Sequence, residues 1–183
     1  MPSLGTKAPE FTLPDAQGAL HTLDFGGKAP ATLVIFTCVH CPYVTLIKEH
    51  LSAFTRKYMA LGVQVLAIHS NDPNCHPEDC IEGIVADNKL YNFPFPNLVD
   101  EDQSVAKAYH AACTPDIFLF DASMKLAYRG QYDSSRPGSG KPVTGSDLSA
   151  ALEAVLKGSP VSPRQFPSMG CSIKWKPGNE PTW

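Results

Sequence analysis

Residues 31–38, ATLVIFTC, form an unbroken β-branched and aromatic run that stops at a cysteine. Such a run offers no polar face to solvent, so it predicts a strand covered on both sides, in the middle of a sheet. The period then changes at once. From Pro42 the apolar residues Val44, Ile47, Leu51, Phe54 and Tyr58 recur every three or four positions until Gly62, which describes an amphipathic helix with proline in its first turn. Residues 63–71, VQVLAIHSN, are a second strand of the buried kind.

The remaining segments fit around this unit. Phe11–Leu13 and Ala19–Leu23 flank the turn formers PDAQG and read as a hairpin, spanning 10–24 overall. Residues 76–92 open on proline and acids, as a helix start should. PNLVD predicts a short strand, QSVAKAYHA a short helix, and PDIFLFD and KLAYRGQY an antiparallel pair joined by ASM. In GSDLSAALEAVLKG, Ser146 is placed to cap a helix whose stripe is Leu148, Ala151, Leu152, Val155 and Leu156, with Gly158 ending it. Strands alternating with helices, then a hairpin and a last helix, make an α/β sandwich, three layers with a central mixed sheet. Residues 1–158 constitute one domain. Residues 159–183, with five prolines and no sustained period, form an irregular extension on it, pinned by Phe166, Ile173 and Trp175.

A chain of 183 residues suits one domain. Its net charge of −3 and the lack of any Lys/Arg block point away from nucleic acid and anionic membranes. No apolar run approaches the ~20 residues of a membrane span. The N-terminus lacks the basic and apolar regions of a leader, so the expected location is cytoplasmic, or periplasmic if a leader has been removed. Six cysteines are too sparse here for a secreted disulfide framework, and C-x-x-C in a reducing compartment is more often catalytic or metal-binding.

The chemistry gathers where the first buried strand meets its helix, at Thr37-Cys38-Val39-His40-Cys41-Pro42. Unpaired amides and the positive dipole end of a helix favour a thiolate, so Cys38 is expected to be an exposed nucleophile of lowered pKa. Cys41, about a turn on, is placed to resolve a mixed disulfide. His40 adds a donor and, when protonated, a charge beside the Cys38 sulfur. That predicts a pair more oxidising than a Gly-Pro centre would give.

FTCVHCPYV followed by TPDIFLFD resembles the thioredoxin superfamily, and APEFTLPDAQG resembles its branch of peroxiredoxins and cytochrome-maturation thioredoxins. HSND, ACTPDIFLFD, DSSRPG, PVTGSDL and GCSIKWKPG are similar to a peroxiredoxin-like, alkyl hydroperoxide reductase and thiol-specific antioxidant group of bacterial proteins. The resemblance spans nearly the whole chain. It implies a thioredoxin fold, a dithiol–disulfide centre at Cys38 and Cys41, and a cis-proline at Pro115 facing it. The backbone of Thr114 would then receive an extended substrate segment as an added strand, with Thr37 and Pro42 beside it. Two departures argue against fast, general reductase activity: Thr37 stands where many thioredoxins carry Trp, and Thr32 where they carry a buried carboxylate. Asp72 is the candidate substitute for that carboxylate.

Two other functions compete. A hydroperoxide reductase would want a hydroxyl three residues before its peroxidatic cysteine, but Ile35 precedes Cys38 at that spacing and Cys38 precedes Cys41. A zinc or copper site could join Cys38 and Cys41 to Cys75, His76 and Cys80, yet the pair follows a buried strand rather than sitting in a knuckle turn. Cys113 is either a third redox thiol paired with Cys171 or a small buried residue, and Cys171 is either that thiol's partner or an anchor for the tail. His69 reads as a core histidine and Arg129 as a solvated strand residue. The function expected is thiol–disulfide exchange with protein disulfide or dithiol substrates, recycled by a thioredoxin-like partner. It needs no cofactor, because the dithiol carries the electrons, and no metal is assigned.

Overall fold

The computed structural model describes residues 2–23 and 29–183. Its elements run β1 (Thr12–Pro14), β2 (Leu20–Thr22), β3 (Ala31–Thr37), α1 (Pro42–Met59), β4 (Gln64–His69), a 3-10 turn (Pro77–Asp79), α2 (Ile81–Tyr91), β5 (Asn97–Val99), α3 (Ser104–Ala108), β6 (Cys113–Thr114), β7 (Asp116–Asp121), β8 (Leu126–Gly130), α4 (Ser146–Leu156) and β9 (Cys171–Ser172). The five-stranded sheet has the order β5-β4-β3-β7-β8. β3 pairs parallel to β4 and antiparallel to β7, and every residue of β3 is buried. This is the thioredoxin fold.

The two faces of the sheet separate by the strand period of two. Leu33, Ile35, Val65, Ala67, Ile117 and Leu119 pack against α1 and α4 through Ile47, Leu51, Phe54, Leu148 and Leu152. Val34, Phe36, Leu66, Ile68, Phe118 and Phe120 pack on the other side against Tyr109, Val105 of α3, and Phe11 and Leu13 of the hairpin. The hairpin therefore covers much of a face that a longer helix could have taken. Residue 24, expected at its end, lies outside the described residues.

Four expectations need correction. The helix expected over 76–92 is broken: a 3-10 turn ends at Asp79, Cys80 is extended, and α2 starts at Ile81. Gly83 permits this, since a Cβ there would lie 2.0 Å from the Glu78 carbonyl. Ser146 does not cap α4; Gly145 is the N-cap, and the buried Asp133 carboxylate accepts from the Thr144 and Gly145 amides at 2.6 and 2.7 Å. Arg129 is 6% exposed, not solvated, because it donates to Asp116 at 3.1 Å and lies over the Phe118 ring. In the tail Ile173 is buried and Trp175 packs on the core, but the Phe166 ring is exposed beneath Arg164, and its backbone carbonyl accepts from the Gln131 amide at 2.9 Å.

Candidate active site

Cys38 follows the last residue of β3, and Cys41 is the N-cap of α1 with Pro42 at its first turn. All six cysteines are free. Cys38 is 1% exposed and Cys41 0%, so the expected exposed nucleophile is not present. The two sulfurs pack together under Val44, Tyr43 and Cys171.

Cys41, not Cys38, is the N-cap residue of α1, although its side chain makes no capping hydrogen bond. The Cys38 thiol, against the penalty of burial, and then the Cys171 thiol and the Val44 and Cys171 amides bring the Cys41 thiol down to about 4. Cys38 moves the opposite way, raised by its bond to Cys41, by burial and by the Asp79 charge. The Cys41 sulfur also lies 3.2 Å from the Thr114 carbonyl, to which only its protonated form donates, so ionisation gives up that bond.

The strand facing the dithiol carries a cis Thr114–Pro115 peptide bond. The Thr114 hydroxyl lies 3.2 Å from the Cys38 sulfur, a hydroxyl partner supplied from 76 residues away rather than from Ile35. Pro115 is buried beneath the site, Pro42 is exposed beside it, and Thr37 is buried opposite His69 in the sheet, so Thr37 does not front the surface.

The edge of Thr114 that a substrate strand would use is already taken. β6 pairs antiparallel with β9, Thr114 opposite Cys171 and Cys113 opposite Ser172. Opposed residues share a face of a ladder, so Cys171 lies on the Thr114 side and Cys113 on the other. The Cys113–Cys171 pairing, one of the two alternatives for Cys113, therefore lacks the register for it. Burial, then the Asp116 charge, pushes the thiol of the half-buried Cys113 up to about 12, which suits a packing residue.

Two buried charges that sequence reasoning missed hold the dithiol loop. The Asp79 carboxylate accepts from the Val39 amide, the Asn71 amide group and His40 Nδ1, each at 2.7 Å. Burial pushes Asp79 up, but those bonds outweigh it and hold its carboxyl below the usual range. From the other side Lys48, 2% exposed, donates to the Val39 carbonyl at 2.9 Å and to Asp87 at 2.7 Å. His40 is thus clamped to Asp79 and stacked on His76, with ring centroids 3.7 Å apart. Asp72 stays within its own loop, accepting from Asn74 at 2.9–3.0 Å.

The metal set imagined from sequence does not assemble. Cys75 is exposed and points to Asp72, and Cys80 caps α2 by accepting from the Gly83 amide. Cys38, His40 and Asp79 do bring ligand-type atoms within 4.8 Å of one another, although His40 and Asp79 satisfy each other there. His69 is buried and bonded to Asn97 at 3.0 Å, its pKa lowered chiefly by burial. Among the described residues no helix is long and apolar enough to cross a membrane.

Residues 4–129 match the AhpC/TSA family. The structure of a hypothetical protein from Sinorhizobium meliloti 1021 is similar, with 52% identity, 96% of each chain covered and a TM-score of 0.94. That of an uncharacterized conserved protein from Geobacillus kaustophilus has 48% identity, covers 97% of this chain and 94% of that one, and has a TM-score of 0.92. Thiol-disulfide oxidoreductase ResA of Geobacillus thermodenitrificans (strain NG80-2) is 26% identical over 125 residues, covering 68% of this chain and 67% of ResA.

Proposed function

This chain belongs to the AhpC/TSA family, and we propose that it is a thiol–disulfide oxidoreductase that exchanges two electrons through Cys38 and Cys41 with protein thiols and disulfides. The observation that carries this reading is the pair itself. Two free sulfurs are packed together where β3 meets α1. The reduced pair attacks a partner disulfide, one partner sulfur leaves as a thiolate, and the second cysteine displaces the other while the Cys38–Cys41 bond closes. His40 and Asp79 fix the loop, and a thioredoxin-like dithiol returns the electrons. The similarity to ResA supports the reaction class.

A second reading, hydroperoxide reduction, is favoured by the Thr114 hydroxyl on Cys38, though burial of both sulfurs opposes it. One experiment separates the two. The protein is equilibrated in glutathione buffers of graded potential, alkylated and weighed intact, and assayed for reduction of a protein disulfide and for peroxide consumption. The exchange reading expects a two-electron couple in the wild type that is lost in Cys41→Ser. Peroxide turnover without any reversible disulfide at these residues would reject it.

A further inference from the structure

The tail carries out an interaction normally left to a partner. β9 lies against β6 as an added strand, and the backbone opposite Thr114 belongs to Cys171. Gly170 lies flush on the same peptide: a Cβ there would sit 2.0 Å from the Thr114 carbonyl oxygen, so only glycine allows the approach. Cys171 shares a face with Thr114, whose hydroxyl touches the Cys38 sulfur, and Cys171 packs directly on the dithiol. Both flanks are tied down. On one side Ser168 donates to the Gly130 carbonyl at 2.8 Å. On the other, Ile173 is buried, and Lys174 accepts from the Asp72 amide at 2.8 Å and donates its own amide to Asn71 at 2.9 Å.

We propose that β9 is a resident substrate segment and that Cys171 is a third redox-active cysteine, exchanging disulfides with Cys41. The inference rests on the dithiol reading above and extends it. In the oxidised protein the Cys171 thiolate attacks Cys41 Sγ, the Cys38–Cys41 bond breaks, a Cys41–Cys171 bond forms, and Cys38 leaves as a thiolate. One S–S bond replaces another, so no electrons enter or leave, and the proton lost by Cys171 is regained by Cys38. Of the three sulfurs, Cys171 alone belongs to a residue that is not fully buried. An external thiol therefore attacks Cys171, and the departing group is the Cys41 thiolate, the sulfur this site best holds as an anion.

The test is disulfide mapping of the full chain after oxidation in glutathione buffer, followed by alkylation and tryptic digestion without reduction. Cys171 falls in peptide 165–174, apart from the peptide carrying Cys38 and Cys41. The proposal expects these two peptides to be linked in the wild type and in Cys38→Ser, and the link to be lost in Cys41→Ser. Gly170→Ala, which touches no sulfur, should lift the strand, abolish the link and leave Cys38–Cys41 as the main disulfide. If Cys171 is alkylated throughout while Cys38–Cys41 forms normally, the proposal falls and the exchange reading stands. If no disulfide forms at any of the three, both fall.

Discussion

Asp79→Asn is the sharpest probe of how the dithiol loop is held. The substitution keeps shape and volume but turns one carboxylate oxygen into a donor and removes the charge. Asn71, which donates to that carboxylate at 2.7 Å, then faces another donor, and the His40 contact must reverse its polarity. The Val39 amide keeps an acceptor but loses the charge behind it. Hydrogen bonds to a charged group contribute about 1.5–3 kcal/mol each, so losing one and weakening two costs roughly 3 kcal/mol. For a chain of 183 residues that cost lowers the melting midpoint by about 6–12 °C, at 2–4 °C per kcal/mol. The assay is thermal unfolding of the reduced protein at neutral pH, with a second reading on the thiols. Since the Asp79 charge helps to raise Cys38, its removal should speed alkylation of Cys38 at neutral pH, read by mass spectrometry. A midpoint within about 2 °C of wild type, less than one kcal/mol would produce, would refute the claim that Asp79 anchors the loop.

Thiolate absorbance of the reduced wild type should persist at pH 6 and fall away around 4, where Cys41 is held. Cys38→Ser should raise that midpoint, and a wild-type midpoint above 8 would overturn the assignment. Lys48→Met leaves the half-buried Asp87 carboxylate and the Val39 carbonyl without their donor, costing roughly 1.5–3 kcal/mol; an unchanged urea midpoint would contradict this. Asp79 and Asp133 are both held below the usual carboxylate range. Their contribution is therefore complete above the unfolded value of about 3.9 and is lost as pH falls through the folded one, so urea titrations should show stability dropping below pH 4. The reduction potential should lie above thioredoxin's value of about −270 mV, because a stabilised thiolate favours the reduced form; a value at or below that figure contradicts it.

The long elements were legible because each carries its period over many residues. β3 is apolar at every position and buried at every position, and the stripe from Val44 to Tyr58 is the buried face of α1. Failures came where a few residues answer to distant partners. Nothing local distinguishes Asp79 from Glu78, the other acid of HPED, yet its carboxylate reaches back to residues 39 and 40. Arg129 looks like any charged strand residue until Phe118 and Asp116 are placed across from it. Ser146 is a reasonable cap by type, but Asp133, thirteen residues earlier, supplies the acceptor from across the fold.

The tail presents the same difficulty in its strongest form, since a two-residue strand has no period to read. Its pairing with β6 changes the chemistry of the site more than any longer element does. With β9 seated, both cysteines of the dithiol are closed off and the half-buried Cys171 stands in front of them. The Thr114 edge can serve its own tail or a foreign strand, but one backbone cannot pair with both at once. A foreign protein must therefore exchange through Cys171 or displace a segment anchored on both sides, at Gly130 and at Asn71. Displacement would require breaking those anchors, whereas exchange at Cys171 leaves them in place, and that favours the relay.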